Sequence, residues 1–110
     1  MLEELEIEPS EAARQVATSE GVLVDVREPE EFEVARLESS SLIPMRTIPG
    51  QLRKIEEMAK DSNLLILCHH GVRSLQVVAW LRGQGITRCY SIAGGIDRWS
   101  LELDRSVPRY

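Results

Sequence analysis

The sequence predicts an α/β fold built on a largely parallel sheet, and three observations predict it. Strand signals alternate with helix signals along the chain. Leu64 to Cys68 is a continuous apolar run and Val22 to Val26 is one broken only by Asp25, as expected of strands buried on both faces. Between them, Gln51 to Lys60 is amphipathic at helical period, with Leu52, Ile55, Met58 and Ala59 on its apolar side. At 110 residues, 43% hydrophobic and 28% charged, the chain suits one compact domain over residues 1–110.

The elements follow in order. Leu5 to Glu8 is expected as a short edge strand closed by Pro9. Ser10 is an N-cap type, opening a helix to about Ser19 that Gly21 ends. The Val22–Val26 strand leads into Glu28-Pro29-Glu30-Glu31, a turn that opens a short helix around Phe32. Residues 38–50 are the least periodic, with a short strand at Leu42-Ile43. After the amphipathic helix, Leu64–Cys68 is the strongest strand signal and His69 to Arg73 a loop. Ser74 to Gln84 is expected as a helix with Leu75, Val78, Ala79 and Leu81 facing the core, ended by Gly83 and Gly85. Cys89 to Ile92 is the last strand, and Gly94-Gly95 turns the chain into a short helix through Trp99. The tail from Leu101 to Tyr110 is ordered by packing on the domain.

Composition excludes several functions. No apolar run is long enough to span a bilayer, so no membrane role is expected. The start, Met1-Leu2-Glu3-Glu4, lacks the basic and apolar regions of a secretion signal. A cytoplasmic setting, where a free thiol persists, is expected. A net charge of −5 argues against nucleic acid. Its distribution is uneven: residues 1–61 hold 15 Asp/Glu against 7 Lys/Arg, whereas residues 62–96 hold no acid, with Arg73, Arg82, Arg88, His69 and His70. A local positive field for a small anion is the expectation.

The chemistry concentrates in Cys68-His69-His70-Gly71-Val72-Arg73-Ser74, between a strand and a helix. A helix N-terminus offers unpaired N–H groups and partial positive charge, and a tight loop before it turns further N–H groups inward. Gly71 permits a positive φ at mid-loop. Arg73 adds a fixed charge at the rim. Together these favour a nucleophilic thiolate at Cys68. Cys89 is expected to be a mid-strand core residue too far from Cys68 for a disulfide. His69 and His70 invite a metal reading, but adjacent loop residues point apart and no other histidine exists to complete a site. No metal or cofactor is expected, and the histidines are assigned to local positive potential or substrate contact. The carboxyl ends of parallel strands bring Asp25, Arg27 and Ala93-Gly94-Gly95 to the same edge.

At these residues the chain resembles the rhodanese-domain sulfurtransferases, of the small single-domain bacterial type. The Cys68–Ser74 loop is similar to that family's active-site loop. Val24-Asp25-Val26-Arg27-Glu28-Pro29-Glu30-Glu31-Phe32 resembles its first signature, and Ile92-Ala93-Gly94-Gly95-Ile96-Asp97-Arg98-Trp99 its closing one. Ser106-Val107-Pro108-Arg109-Tyr110 is similar to the tail of small members. The resemblance implies a three-layer α/β/α sandwich around a mostly parallel five-stranded sheet. It also implies that the Cys68 thiolate takes the outer sulfur of thiosulfate, becomes a persulfide held by loop N–H groups, and passes the sulfur to cyanide, a thiol or a protein acceptor. Arg73 matches the loop arginine, which holds anionic substrate and stabilises the loop. Gly71, Val72, Ser74, His69 and His70 are the further expected substrate contacts, and Arg27 is divided between substrate contact in the site wall and a loop anchor. Asp25 has a structural role at its strand end, Gly94 and Gly95 serve the turn, and Trp99 the core.

One stretch departs from the family pattern. Ala35-Arg36-Leu37-Glu38-Ser39-Ser40 stands where many members carry Gly-His-Ile-Pro-Gly-Ala, which puts acceptor choice in question. Two other classes compete. Related cysteine phosphatases and arsenate reductases place five residues between cysteine and arginine, whereas four separate Cys68 from Arg73. A binding module or persulfide carrier serving a partner protein is the alternative to a turnover enzyme.

Overall fold

The computed structural model describes residues 4–110. Its five strands are β1 (Glu6–Ile7), β2 (Gly21–Asp25), β3 (Ser41–Leu42), β4 (Asn63–Leu67) and β5 (Cys89–Ile92). They form one sheet in the order β1-β5-β4-β2-β3, and every pairing is parallel. The helices are α1 (Pro9–Ala17), α2 (Pro29–Val34), α3 (Leu52–Asp61), α4 (Val72–Gly83) and α5 (Gly95–Glu102).

Alternation along the strands splits the core into two layers. Val24, Leu64 and Ile66 join Ile55 of α3 and Val77, Val78 and Leu81 of α4. Leu23, Leu65 and Leu67 join Ala12 of α1 and Ile96 of α5 on the other face. The central strands are therefore apolar at consecutive positions because both faces are covered. The α/β/α sandwich expected from the sequence is the observed architecture.

Several boundaries shift for identifiable reasons. α1 begins at Pro9, not after Ser10, because proline fits the first helical turn where its missing N–H costs nothing. Gly21 opens β2 rather than ending α1, and the turn between them is made by Ser19 at φ 63°. β3 lies at Ser41–Leu42, and Ile43 N–H still reaches Asp25 O at 2.8 Å. Gly71 caps α4, which thus starts two residues before Ser74. Ala79 faces solvent and Val77 takes the core position expected of it. Cys89 stands at the start of β5 rather than in its middle, and is fully buried. α5 runs past Trp99 to Glu102, and the tail is pinned by Ser100 Oγ donating to Val107 O at 2.6 Å.

Candidate active site

Cys68 is the first residue beyond β4, with 1% of its surface exposed. It is therefore sheltered rather than standing at an open mouth. Three groups converge on its sulfur. Gly71 N–H lies 3.1 Å from Sγ, Ser74 N–H 3.3 Å, and the Ser74 hydroxyl 3.2 Å. That hydroxyl is in turn 2.7 Å from Ser91 Oγ, and both serines are fully buried. A thiolate at this position would accept from both amides and from the hydroxyl, out of contact with water.

Local backbone geometry explains why the amides point inward. Gly71 adopts φ 100°, which turns the chain from loop into α4. The first turn of α5 holds the opposite face of the loop: Ile96 N–H donates to Cys68 O at 2.9 Å and Asp97 N–H to His69 O at 3.2 Å. These bonds fix the backbone just ahead of Gly71 and Ser74, whose amides face Sγ. The approach is close enough that a Cβ at Gly95, itself at φ 60°, would lie 2.4 Å from His69 O.

The two arginines brace the site from two sides. Arg27 is 0% exposed, which favours the loop anchor over contact with substrate. Its Nε lies 2.9 Å from Asp25 Oδ1 and its Nη2 2.7 Å from Asp25 Oδ2. Nη2 also donates to Ala35 O at 2.6 Å, and Nη1 to the Tyr110 hydroxyl at 2.8 Å. Asp25 is equally buried, as its structural role required. Arg73 makes a two-pronged bridge to Glu31, with Nη1–Oε1 2.6 Å and Nη2–Oε2 2.9 Å.

Glu31 is a residue that sequence reasoning left without a role. Besides Arg73 it accepts Glu28 N–H at 3.1 Å and the Tyr110 hydroxyl at 2.7 Å. The Arg73 guanidinium holds its carboxyl down to about 2, with help from the Tyr110 hydroxyl. Tyr110 and Ser91 were likewise unassigned. Tyr110 closes the Arg27–Glu31 gap and stacks on His69, with ring centroids 3.8 Å apart. Ser91 carried one faint signal, a hydroxyl within an otherwise buried strand. Glu31 and Tyr110 lay inside quoted motifs, but nothing in a one-dimensional pattern joins positions 31, 73 and 110.

The cations expected to make a positive field are paired or lie elsewhere, for the same reason. Segments 62–96 and 1–61 are complementary rather than separate, and the acidic half supplies Glu31 to Arg73. Arg82 binds Cys89 O and Arg88 binds Asn63 and Lys60 O, at the far end of the strands. Burial, then neighbouring His70, pushes the His69 imidazole below 6.5, so its neutral form is favoured. His69 and His70 stack on each other at 3.9 Å instead of converging on a metal. Val72 is 66% exposed beside the loop. Gly94, at φ 73°, turns β5 into α5.

Cys89 packs in the α3–α4 core, its thiol directed at Ile86 O at 3.3 Å, and burial pushes that thiol up. The register pairs it with Leu64, four residues before Cys68, roughly 13 Å away along the strands.

A family model described as "Rhodanese-like domain" matches residues 8–102. The chain is 34% identical over 91 residues to "Thiosulfate sulfurtransferase GlpE" of Pseudomonas syringae pv. syringae, covering 83% of each protein. It is 38% identical over 96 residues to "Rhodanese-like/PpiC domain-containing protein 12, chloroplastic" of Arabidopsis thaliana, but spans only 32% of that protein's length. Among solved structures, a rhodanese-like domain protein from Staphylococcus aureus superposes with a TM-score of 0.73 at 31% identity, covering 96% of this chain and 97% of that one. No helix among the described residues is long and apolar enough to cross a membrane.

Proposed function

Since the chain belongs to the rhodanese-like domain family, we propose that it is a sulfurtransferase working through a persulfide on Cys68. The observation that carries this reading is the convergence of Gly71 N–H, Ser74 N–H and the Ser74 hydroxyl on one sulfur. The Cys68 thiolate attacks the outer sulfur of a donor such as thiosulfate. The donor S–S bond breaks, sulfite leaves with the bonding pair, and Cys68 carries the transferred sulfur. Loop amides then stabilise the anionic outer sulfur of the persulfide. An acceptor, cyanide or a thiolate, attacks that outer sulfur and departs as thiocyanate or a new persulfide, returning the Cys68 thiolate. No cofactor enters either half-reaction.

In this reading Arg73 and Arg27 hold the loop, one through Glu31 and the other through Asp25. A cytoplasmic setting suits the free thiol. Intact-mass measurement tests the proposal. Thiosulfate should add one sulfur, cyanide should remove it, Cys89→Ser should still gain it, and Cys68→Ser should not. A chain that gains no sulfur and instead hydrolyses an aryl phosphate would replace this reading with a phosphatase.

A further inference from the structure

Arginines at the carboxyl edge of the sheet stand beside carboxylates. Arg27 is paired with Asp25 at 2.7 Å and Arg73 with Glu31 at 2.6 Å. Arg109 is paired with Asp97 at 2.8 Å, and Arg46 faces Glu28 at 3.6 Å. His70 Nδ1 also lies 4.0 Å from Asp97. Around Cys68 these charges thus meet in pairs, and among the described residues the groups hydrogen-bonded to its sulfur are two amides and a hydroxyl.

Those donors reach one atom. They suit the thiolate and the outer sulfur of a persulfide, the charges that stay on Cys68 through the reaction. They do not reach a leaving group, which must sit outside the cradle. Thiosulfate leaves as the sulfite dianion, and Coulomb attraction from an unpaired cation is what would draw it in and steady it. Arg73 is the cation placed to do so, since it lies in the first turn of α4 directly before Ser74, whose amide and hydroxyl reach Sγ. Both of its terminal nitrogens are instead held by Glu31, which Tyr110 and the Glu28 amide fix from behind.

Resting on the sulfur-transfer reading, we infer that Glu31 sets donor specificity, turning the site away from dianions such as thiosulfate and towards persulfides of thiols, R–S–SH. In the favoured step the Cys68 thiolate attacks the terminal sulfur of R–S–SH. The S–S bond of the donor breaks, RS⁻ departs with the bonding pair, and the proton stays with the sulfur now on Cys68. The leaving group carries one charge rather than two, and R can be a small thiol or a cysteine on a protein. The neutral rim then costs the reaction little.

The test compares two donors, thiosulfate and glutathione persulfide, by kcat/KM for loading Cys68. It uses the wild-type chain, Glu31→Gln, and Val72→Lys, which adds a cation at an exposed position beside Arg73 without touching the bridge. Glu31→Gln should raise the ratio of thiosulfate to persulfide efficiency about fivefold or more, and Val72→Lys should move it the same way. In both variants thiosulfate loading should become steeply salt-dependent, whereas the wild-type rate should be nearly flat. Mere damage to the loop lowers both donors together and leaves the ratio unmoved. An unchanged or lower ratio in both variants overturns the inference while sulfur transfer stands. A wild-type chain loaded by neither donor overturns the sulfur-transfer reading, and this inference with it.

Discussion

The phenol ring of Tyr110 lies flat on the imidazole of His69, with centroids 3.8 Å apart and planes within 8° of parallel. The contact joins the second residue of the cysteine loop to a tail residue 41 positions away. The same tyrosine accepts a hydrogen bond from Arg27 and donates one to Glu31. Burial pushes the phenol up, so it keeps the proton that it donates. One side chain therefore ties the loop, the buried arginine and the start of α2 together.

Tyr110→Ala should remove all three ties. The expected loss is about 2 kcal/mol, from one ring stack and two partly exposed hydrogen bonds. Tyr110→Phe keeps the stack and should lose about 1 kcal/mol. Denaturant melts give both values. If the alanine variant melts like the wild type, the tail is merely resting on the domain.

Asp25→Asn should be far more costly. It leaves the Arg27 guanidinium buried beside a neutral amide, and breaking such a pair typically costs about 3–5 kcal/mol. Replacing the pair together, Asp25→Leu with Arg27→Met, should be less damaging than the single change, because no charge is stranded. A double-mutant cycle on unfolding free energies decides it, and additive losses would show that the two charges are not coupled.

Much of this fold was legible in one dimension because its determinants are local. The apolar runs of β2 and β4, the period of α3 and the glycine at position 71 each declare their element through neighbouring residues. Cys68 was legible too, since a strand, a cysteine, a glycine and a helix start are contiguous. The partners of Arg73 and Arg27 were not. Glu31 and Tyr110 meet Arg73 and His69 only through the parallel crossovers, and charge counts over segments cannot show which charges will pair. The pairing of Arg73 was hidden for that reason, as was the choice between site wall and loop anchor for Arg27.

The Ser74 hydroxyl should matter more to rate than to fold. Ser74→Ala keeps the amide on Cys68 but removes the hydroxyl 3.2 Å away. Sulfur loading should slow by about tenfold to a hundredfold, in line with loss of one preorganised donor. Ser91→Ala should act through Ser74 and slow it by less. Single-turnover loading followed by mass measures both, and equal effects would mean that Ser74 and Ser91 work as one unit.

Acid should weaken the site in two stages. His69 has a folded value below its ordinary 6.5, caused first by burial and then by His70, so the fold prefers its neutral form. Its contribution is complete above pH 6.5 and falls as pH drops below that. Glu31 is held at about 2 against an ordinary 4.5, chiefly by Arg73. Its contribution is complete above about pH 4.5 and is lost as pH falls towards 2. The stability gap between wild type and Glu31→Gln should therefore close across that lower window. A gap that is constant from pH 6 to pH 2.5 would show that the Arg73 bridge adds nothing.

Gly95 and Gly83 make opposing predictions for the same substitution. An alanine at Gly95 would bring its Cβ to 2.4 Å from His69 O and 2.5 Å from Cys68 O, at φ 60°. Backbone cannot yield there without moving the two carbonyls that α5 holds, and with them the amides that face Sγ. Gly95→Ala should cost about 2–4 kcal/mol and abolish sulfur loading even where the chain still folds. At Gly83, in the last turn of α4, a Cβ meets nothing within 4 Å and no positive φ is needed. Gly83→Ala should gain about 0.5–1 kcal/mol and leave loading untouched. Thermal melts paired with the mass assay check both variants. A Gly95→Ala chain that loads sulfur normally would disconnect α5 from the cradle, and would leave Gly71 alone to account for the inward amides.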